Sequence, residues 1–139
     1  MKRTVKVGLI GFGTVGTGVA KLMLGGEKLF LRGRDFDIEL AKIADLDITR
    51  DRGVCLPDGI LTADVSDILN NPDIDIVIEL IGGYEPARKF TLLAFEQGKS
   101  VVTANKALIA THGAELFQAA LRMNVSYLFE ASVGGGIPI

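Results

Sequence analysis

Three glycines near the N-terminus have the spacing G-x-G-x-x-G, which suits the binding of a diphosphate. The first glycine of such a motif permits a tight turn, the second lets a phosphate approach the backbone, and the third lets a helix pack closely on a strand. The helix that follows presents unpaired N–H groups and positive dipole charge to an anion. The motif predicts a dinucleotide pyrophosphate site, the alternative being a glycine-rich packing turn. The predicted site comprises Gly11, Phe12, Gly13, Thr14, Val15 and Gly16.

An acidic residue at the end of the second predicted strand is the next candidate, because a carboxylate there binds the ribose hydroxyls of NAD. Asp45 follows Ala44 at that point, and both are assigned to the cofactor site. The distance of Asp45 from the glycine motif exceeds the usual ~20 residues, which we attribute to the segment 24–35. Arg50 and Arg52 lie just beyond and would suit the 2′-phosphate of NADP, so the sequence leaves NAD and NADP open. The alternative for Asp45 is a solvated carboxylate at the end of a strand.

Two further loops follow predicted strands and would meet the same sheet edge, where ligands bind in α/β proteins. Small residues in the first loop would let a cofactor lie against the backbone, although an ordinary turn explains them equally well. In the second loop, a lysine would stabilise negative charge on a substrate oxygen. The alternative is a surface lysine at the start of a helix that Asn105 caps. The predicted cofactor residues are Ile81, Gly82, Gly83, Thr103, Ala104, Asn105 and Lys106, with Lys106 as the catalytic candidate.

Glu79 interrupts an otherwise apolar predicted strand. A buried carboxylate is costly unless it is hydrogen-bonded. We therefore expect Glu79 to accept hydrogen bonds from the backbone near the sheet edge, and we assign it no catalytic role.

The elements that must position these residues alternate between strands and helices. Period-two and period-3.6 patterns, with glycine and proline as boundaries, predict strands over 4–10, 36–44, 59–62, 74–81, 100–103 and 125–129. Helices are predicted over 15–24, 64–70, 86–97, 106–110 and 113–123, with one further turn over 27–31 and His112 in a solvated linker. This alternation indicates an α/β protein with a doubly wound parallel sheet.

Apolar spacing also predicts which residues face the core. The first helix would bury Val15, Val19, Leu22 and Met23, and the last helix Leu116, Ala119, Ala120 and Met123. The second strand would place Phe36, Ile38, Leu40 and Lys42 on one side.

Composition excludes several classes of protein. The 139 residues are 48% hydrophobic with a net charge of −2, which is unlike a disordered tail or a basic nucleic-acid binder. No apolar run reaches the roughly 18–20 residues of a membrane span, and no signal peptide is recognisable. The single cysteine, Cys55, and single histidine, His112, argue against a metal site, a Cys–His site or a disulfide. We expect a cytoplasmic protein.

Four segments together resemble the amino-terminal cofactor domain of homoserine dehydrogenase. They are 11–18 (GFGTVGTG), 76–83 (IVIELIGG), 101–106 (VVTANK) and 129–139 (FEASVGGGIPI). The resemblance implies a Rossmann-type dinucleotide-binding domain over 1–130. It implies a hinge over 131–139, leading into a substrate and dimerisation domain that this chain lacks.

The resemblance also implies an activity, the NAD(P)-dependent interconversion of homoserine and aspartate 4-semialdehyde in threonine and methionine biosynthesis. The remaining catalytic residues would lie beyond residue 139, so the chain alone is expected to bind dinucleotide with little or no turnover. The full-length protein would be a homodimer without nucleic-acid or membrane partners. By resemblance, a sodium ion would be held by Glu130, Val133, Gly135 and Ile137.

Two other functions remain open at this point. Another semialdehyde dehydrogenase would need a cysteine nucleophile, and Cys55 in a polar loop is badly placed for that role. A non-catalytic dinucleotide sensor, in which nucleotide binding alters a partner interaction, would share the cofactor site.

Overall fold

The computed structural model describes residues 2–26 and 33–132. Their strands are β1 (Arg3–Ile10), β2 (Phe36–Ala44), β3 (Leu61–Thr62), β4 (Ile76–Glu79), β5 (Ser100–Thr103) and β6 (Tyr127–Leu128). Their helices are α1 (Thr14–Leu24), α2 (Ser66–Leu69), α3 (Ala87–Glu96) and α4 (Lys106–Arg122), followed by a 3-10 turn over Glu130–Ser132. Within this part of the chain, no helix is long and apolar enough to cross a membrane.

The six strands form one sheet in the order β3-β2-β1-β4-β5-β6, and each neighbouring pair is parallel. The chain runs outward from β1 to β3, returns to place β4 beside β1, and then runs outward to β6. The order therefore reverses between β1 and β4, which is the position where doubly wound sheets bind ligands. The predicted doubly wound α/β fold is confirmed.

Helices cover both faces of the sheet, as near-continuous apolar strands require. On one face, Ala20 and Met23 of α1 pack with Leu9 and Ile43 in one buried cluster. The second cluster joins the helices on the opposite face to the strands, through Ile68 of α2, Phe95 of α3, Leu116 of α4, Val77 of β4 and Val101 of β5.

The last long helix differs from the sequence prediction, which placed a break at residues 111–112. α4 runs unbroken from Lys106 to Arg122, so His112 is helical and the predicted linker is wrong. Leu108 and Leu116 are both fully buried on the same side, and this shared packing holds the helix together across Gly113. Glycine is tolerated there because it costs a helix only about 1 kcal/mol relative to alanine.

The buried face of α1 also differs from the prediction. Val15 and Leu22 are 59% and 67% exposed, whereas Gly16, Ala20 and Met23 are buried. The side of α1 that faces the sheet is set by the close packing of Gly16 on the preceding turn. This backbone contact, rather than the apolar spacing of the side chains, decides which residues are buried. In α4, Leu116, Ala119 and Ala120 are buried as predicted, but Met123 lies one residue past the helix and is 42% exposed.

A one-residue bulge in β2 changes its side-chain pattern. Val7 pairs with Leu40 but Gly8 pairs with Lys42, which leaves Ala41 without an opposite residue. Ile43 rather than Lys42 therefore joins Leu40 in the α1 cluster, and the predicted placement of Lys42 is wrong. The turn predicted over 27–31 lies outside the described residues.

Candidate functional site

The turn after β1 is built from two glycines that no other residue could replace without movement. Gly11 has φ of +102°, and a Cβ there would lie 2.9 Å from the carbonyl carbon and oxygen of Leu80. Its amide donates to the carbonyl of Ala44 at 2.9 Å. A Cβ on Gly16 would lie 2.1 Å from the Gly11 carbonyl oxygen. The start of α1 therefore packs directly on the turn, as the motif predicted.

Gly13, the middle glycine, faces open space instead. It is the residue that caps α1, and no atom of residues 2–26 and 33–132 lies within 4 Å of where its Cβ would be. In the same part of the chain no side chain caps the first turn of α1, and that turn contains no acidic residue. The N–H groups and the positive end of the helix dipole are therefore available to an anion. Thr14 and Val15, which follow, are exposed at this surface.

Asp45 ties the end of β2 to the glycine turn. Its Oδ2 accepts from the Phe12 amide at 2.7 Å, and its Oδ1 accepts from the Asp47 amide at 2.9 Å. Hydrogen bonds donated to a charged acceptor of this kind are stronger than those between neutral groups. The acidic residue predicted from the strand end thus lies beside the turn, despite its long separation in sequence.

Arg52 forms a contact that sequence reasoning missed. Its guanidinium lies 4.7 Å from the centroid of the buried Phe12 ring, and Nη2 lies 3.3 Å from Oδ1 of Asp45. The side chain is only 5% exposed, and its guanidinium also donates to the carbonyls of Arg50 and Asp47. An aromatic residue between the first two glycines is the signal that could have suggested this cation–π stack. Arg50 is exposed.

A cavity of about 430 Å³ lies where the strand order reverses. Four of the predicted cofactor residues contribute to its wall, namely Ala44, Asp45, Ile81 and Gly82. The remaining wall is largely apolar and includes Leu46, Ala63, Val65, Pro86 and Phe90. An apolar cleft with a few polar groups at one side is typical of small-molecule sites. Its dimensions and lining suit a flat ring attached to a polar sugar.

The loops after β4 and β5 meet at the same edge, as predicted. Asn105 joins them, because its Nδ2 donates to the Gly83 carbonyl at 2.7 Å while its Oδ1 caps α4 by accepting from Leu108 N at 3.1 Å. Glu79 accepts from the amides of Ile81 and Gly82, which confirms the expected backbone bonding. Thr103 is buried, and Ala104 is partly buried beside it.

Lys106 is the first residue of α4 and is exposed. Its side-chain ammonium makes no hydrogen bond or ion pair with residues 2–26 and 33–132. An ammonium group in that position can move to a ligand without breaking an existing contact, so the arrangement suits an electrostatic role.

The predicted cation site lies largely beyond the described structure. Glu130 begins the 3-10 turn, whereas Val133, Gly135 and Ile137 lie outside the described residues. Among residues 2–26 and 33–132, no group of three His, Cys, Asp or Glu side chains could hold a metal ion. Cys55 is exposed and free.

Comparison with known proteins gives a consistent result. Residues 11–130 match the family model described as "Homoserine dehydrogenase, NAD binding domain". Homoserine dehydrogenase of Synechocystis sp. is 45% identical over 138 residues, covering 98% of this chain and 31% of that protein. The enzyme of Corynebacterium glutamicum is 47% identical over 136 residues, covering 97% of this chain and 30% of that protein.

Among solved structures, a homoserine dehydrogenase from Thiobacillus denitrificans superposes with a TM-score of 0.87 at 41% identity. The match covers 99% of this chain and 32% of that one. The chain therefore spans about a third of the length of the relatives it matches.

Proposed function

Since this chain belongs to the homoserine dehydrogenase family as its NAD-binding domain, we propose that its glycine turn and the adjoining cleft bind NAD or NADP. In the full-length protein, this domain would serve the interconversion of L-homoserine and L-aspartate 4-semialdehyde. The observation that carries the proposal is the uncapped N-terminus of α1, where Gly13 leaves the backbone open to a diphosphate.

The geometry supports one orientation of the dinucleotide. Its pyrophosphate would lie on the first turn of α1, its adenosine ribose beside Asp45, and its adenine at the side of the apolar cavity that Leu46, Ala63 and Val65 form. The nicotinamide end would then extend towards Gly83 and Lys106, on the other side of the strand reversal. Bound there, the dinucleotide supplies hydride exchange with C4 of the substrate.

Lys106 would bind the substrate oxygen and stabilise the negative charge that develops on it during hydride transfer. Thr103 and Asn105 would hold the loop from which this lysine projects. The resemblance implies that the other catalytic residues lie beyond residue 139, so we propose that turnover requires parts of the full-length protein outside this chain.

The test is Gly13→Ala, with Gly18→Ala as its matched control, since both glycines lie at exposed positions with open space around the Cβ. A methyl group at Gly13 would occupy the approach of the diphosphate, so we expect calorimetric affinity for NAD and NADP to fall by about tenfold or more. The free energy of unfolding should change by no more than about 1 kcal/mol. Gly18→Ala should leave affinity unchanged, and unaltered binding by Gly13→Ala would refute the proposed site.

Family membership favours this function over the two alternatives. A cysteine-dependent semialdehyde dehydrogenase is disfavoured because Cys55 belongs to the exposed loop between β2 and β3, not to the loop after β4 or the loop after β5. Two adjoining proposals, a homodimer and a sodium ion on Glu130, Val133, Gly135 and Ile137, rest on the resemblance, and a cytoplasmic location rests on the single cysteine. Sedimentation of the full-length protein would test the homodimer, and calorimetric titration of that protein with sodium would test the ion.

A further inference from the structure

We propose that the buried carboxylate of Glu79 is a positioning residue that fixes the two loops receiving the nicotinamide end of the dinucleotide. This inference rests on the proposed function, and it assigns Glu79 a role through other residues rather than contact with substrate. The residues concerned lie at the ends of two neighbouring strands, β4 and β5.

The side-chain hydrogen bonds of Glu79 lead to these two loops. The side chain is 1% exposed at the last position of β4. Its Oε2 accepts from the Ile81 amide at 3.0 Å and from the Gly82 amide at 3.4 Å. Its Oε1 accepts from the Thr103 hydroxyl at 2.9 Å. Within the described part of the chain no ion pair involves Glu79, so these three donors compensate its burial.

Thr103 carries the connection into the second loop. Its hydroxyl donates to Glu79 and accepts from the Asn105 amide at 3.0 Å. Asn105 in turn donates from Nδ2 to the Gly83 carbonyl at 2.7 Å. The two loops are thus joined by two hydrogen bonds, one between Thr103 and Glu79 and one between Asn105 and Gly83. We call this connected set of hydrogen bonds the circuit.

The first loop needs such restraint because of its own sequence. Gly82 and Gly83 both have φ of +73°, a conformation that glycine adopts freely and loses entropy in holding. The bonds from Glu79 and Asn105 select this conformation. They also define where α4 begins, and hence where the backbone of Lys106 lies.

A carboxylate suits this place better than an amide. All three groups that are hydrogen-bonded to Glu79 are donors, and a glutamine would turn its NH2 group towards at least one of them. The Thr103 hydroxyl cannot change from donor to acceptor towards residue 79 without cost, because its own proton would then lose its acceptor in a buried site. Glu79→Gln therefore keeps the side-chain volume while loosening the circuit.

The experiment compares affinity for NADH with affinity for ADP-ribose, which lacks the nicotinamide ring. If the wild-type chain prefers the phosphorylated cofactor, the pair becomes NADPH and 2′-phospho-ADP-ribose. For both Glu79→Gln and Thr103→Val, we expect about a tenfold loss for the dinucleotide and less than about a threefold loss for the ring-free ligand. Thr103→Val breaks the circuit at the second loop alone, so it serves where Glu79→Gln fails to fold.

The matched control is Thr91→Val, which removes another buried hydroxyl, one that donates to Ala87 within α3. It should leave both affinities unchanged. Equal losses for both ligands in the two test variants would make Glu79 merely structural and overturn the inference. So would a wild-type chain that binds both ligands equally, since the loops would then receive no ring. A wild-type chain that binds neither ligand would instead overturn the proposed function.

Discussion

Side-chain volume at Gly16 is limited by one backbone atom, the carbonyl oxygen of Gly11. A Cβ would lie 2.1 Å from it, and neither the turn nor the helix can yield without losing contacts of its own. We expect Gly16→Ala to lower the free energy of unfolding by about 1–3 kcal/mol or more and to abolish dinucleotide binding. Urea denaturation and calorimetry measure the two effects.

Gly18→Ala is the control for this variant, because the same helix has open space at that position. Alanine at this position should raise the free energy of unfolding by about 0.4–1 kcal/mol, because it reduces the conformational entropy of the unfolded chain. If Gly16→Ala proved as stable as Gly18→Ala, the close packing of α1 on the turn would be wrong.

Lys106 permits a second prediction at the residue scale. In the full-length protein, Lys106→Ala should lower kcat for homoserine oxidation by about 10²–10³-fold and change cofactor affinity little. Lys89→Ala, at an exposed position of α3, should change neither. A parallel fall in turnover and cofactor affinity would make Lys106 a plain binding residue.

Some residue positions could be predicted because a local pattern marks them. The three glycines lie within six residues of one another, and Asp45, although 33 residues from Phe12, is marked by its place at the end of the second predicted strand. The partners of Glu79 are not marked in this way, since Thr103 lies 24 residues further along the chain. The stack of Arg52 on Phe12 likewise depends on a loop whose path the sequence does not define.

At the scale of elements, some boundaries follow from the sequence and others do not. The bounds of β2 and β5 are those expected, whereas α2 and β4 are shorter. The predicted break in α4 treated Gly113 as a terminator, but burial of Leu108 and Leu116 on one face outweighs that local preference. Tertiary packing, which a single sequence does not display, decides such cases.

Lys99 connects elements at the opposite edge of the sheet. Its buried Nζ donates to the carbonyls of Asn71 and Ile74 at 2.6 and 2.9 Å, so it joins the start of β5 to the segment before β4. Burial lowers the pKa of Lys99 below its usual value. Lys99→Met would remove a donor from both carbonyls and leave the Asn71 carbonyl with only the Ile74 amide, so we expect it to cost about 1–3 kcal/mol in urea denaturation.

Lys89→Met, on the exposed side of α3, is the comparison for that measurement. It should stay within about 0.5 kcal/mol of the wild-type chain. The same small change for Lys99→Met would show that water satisfies both carbonyls.

At the scale of the whole molecule, Tyr127 reports on cooperative unfolding. Burial, reinforced by the negative charge of Glu79, raises the pKa of Tyr127 above its ordinary value of 10.0. Above pH 10 the unfolded chain therefore releases a proton that the folded chain retains, and stability falls as pH rises. In Tyr84→Phe, which leaves Tyr127 as the single tyrosine, phenolate absorbance should appear together with the loss of far-ultraviolet circular dichroism.

The control for the alkaline titration is the same variant in concentrated urea, where Tyr127 should ionise near 10.0. Ionisation of the folded chain near that value, with its circular dichroism intact, would contradict the buried environment. Packing of Tyr127 against Phe95 and Phe117, with ring centroids 5.4 and 5.3 Å away, explains why local opening alone should not expose it.

The bulge at Ala41 also bears on what determines the position of Asp45 in the proposed cofactor site. On either side of it, β2 keeps in step with β1, since Leu40 and Ile43 pair with Val7 and Leu9. The strand thus carries one surplus residue, and its removal would leave every other pair with its present partner. The register between β1 and β2, rather than the number of residues in β2, therefore places Asp45 beside the glycine turn.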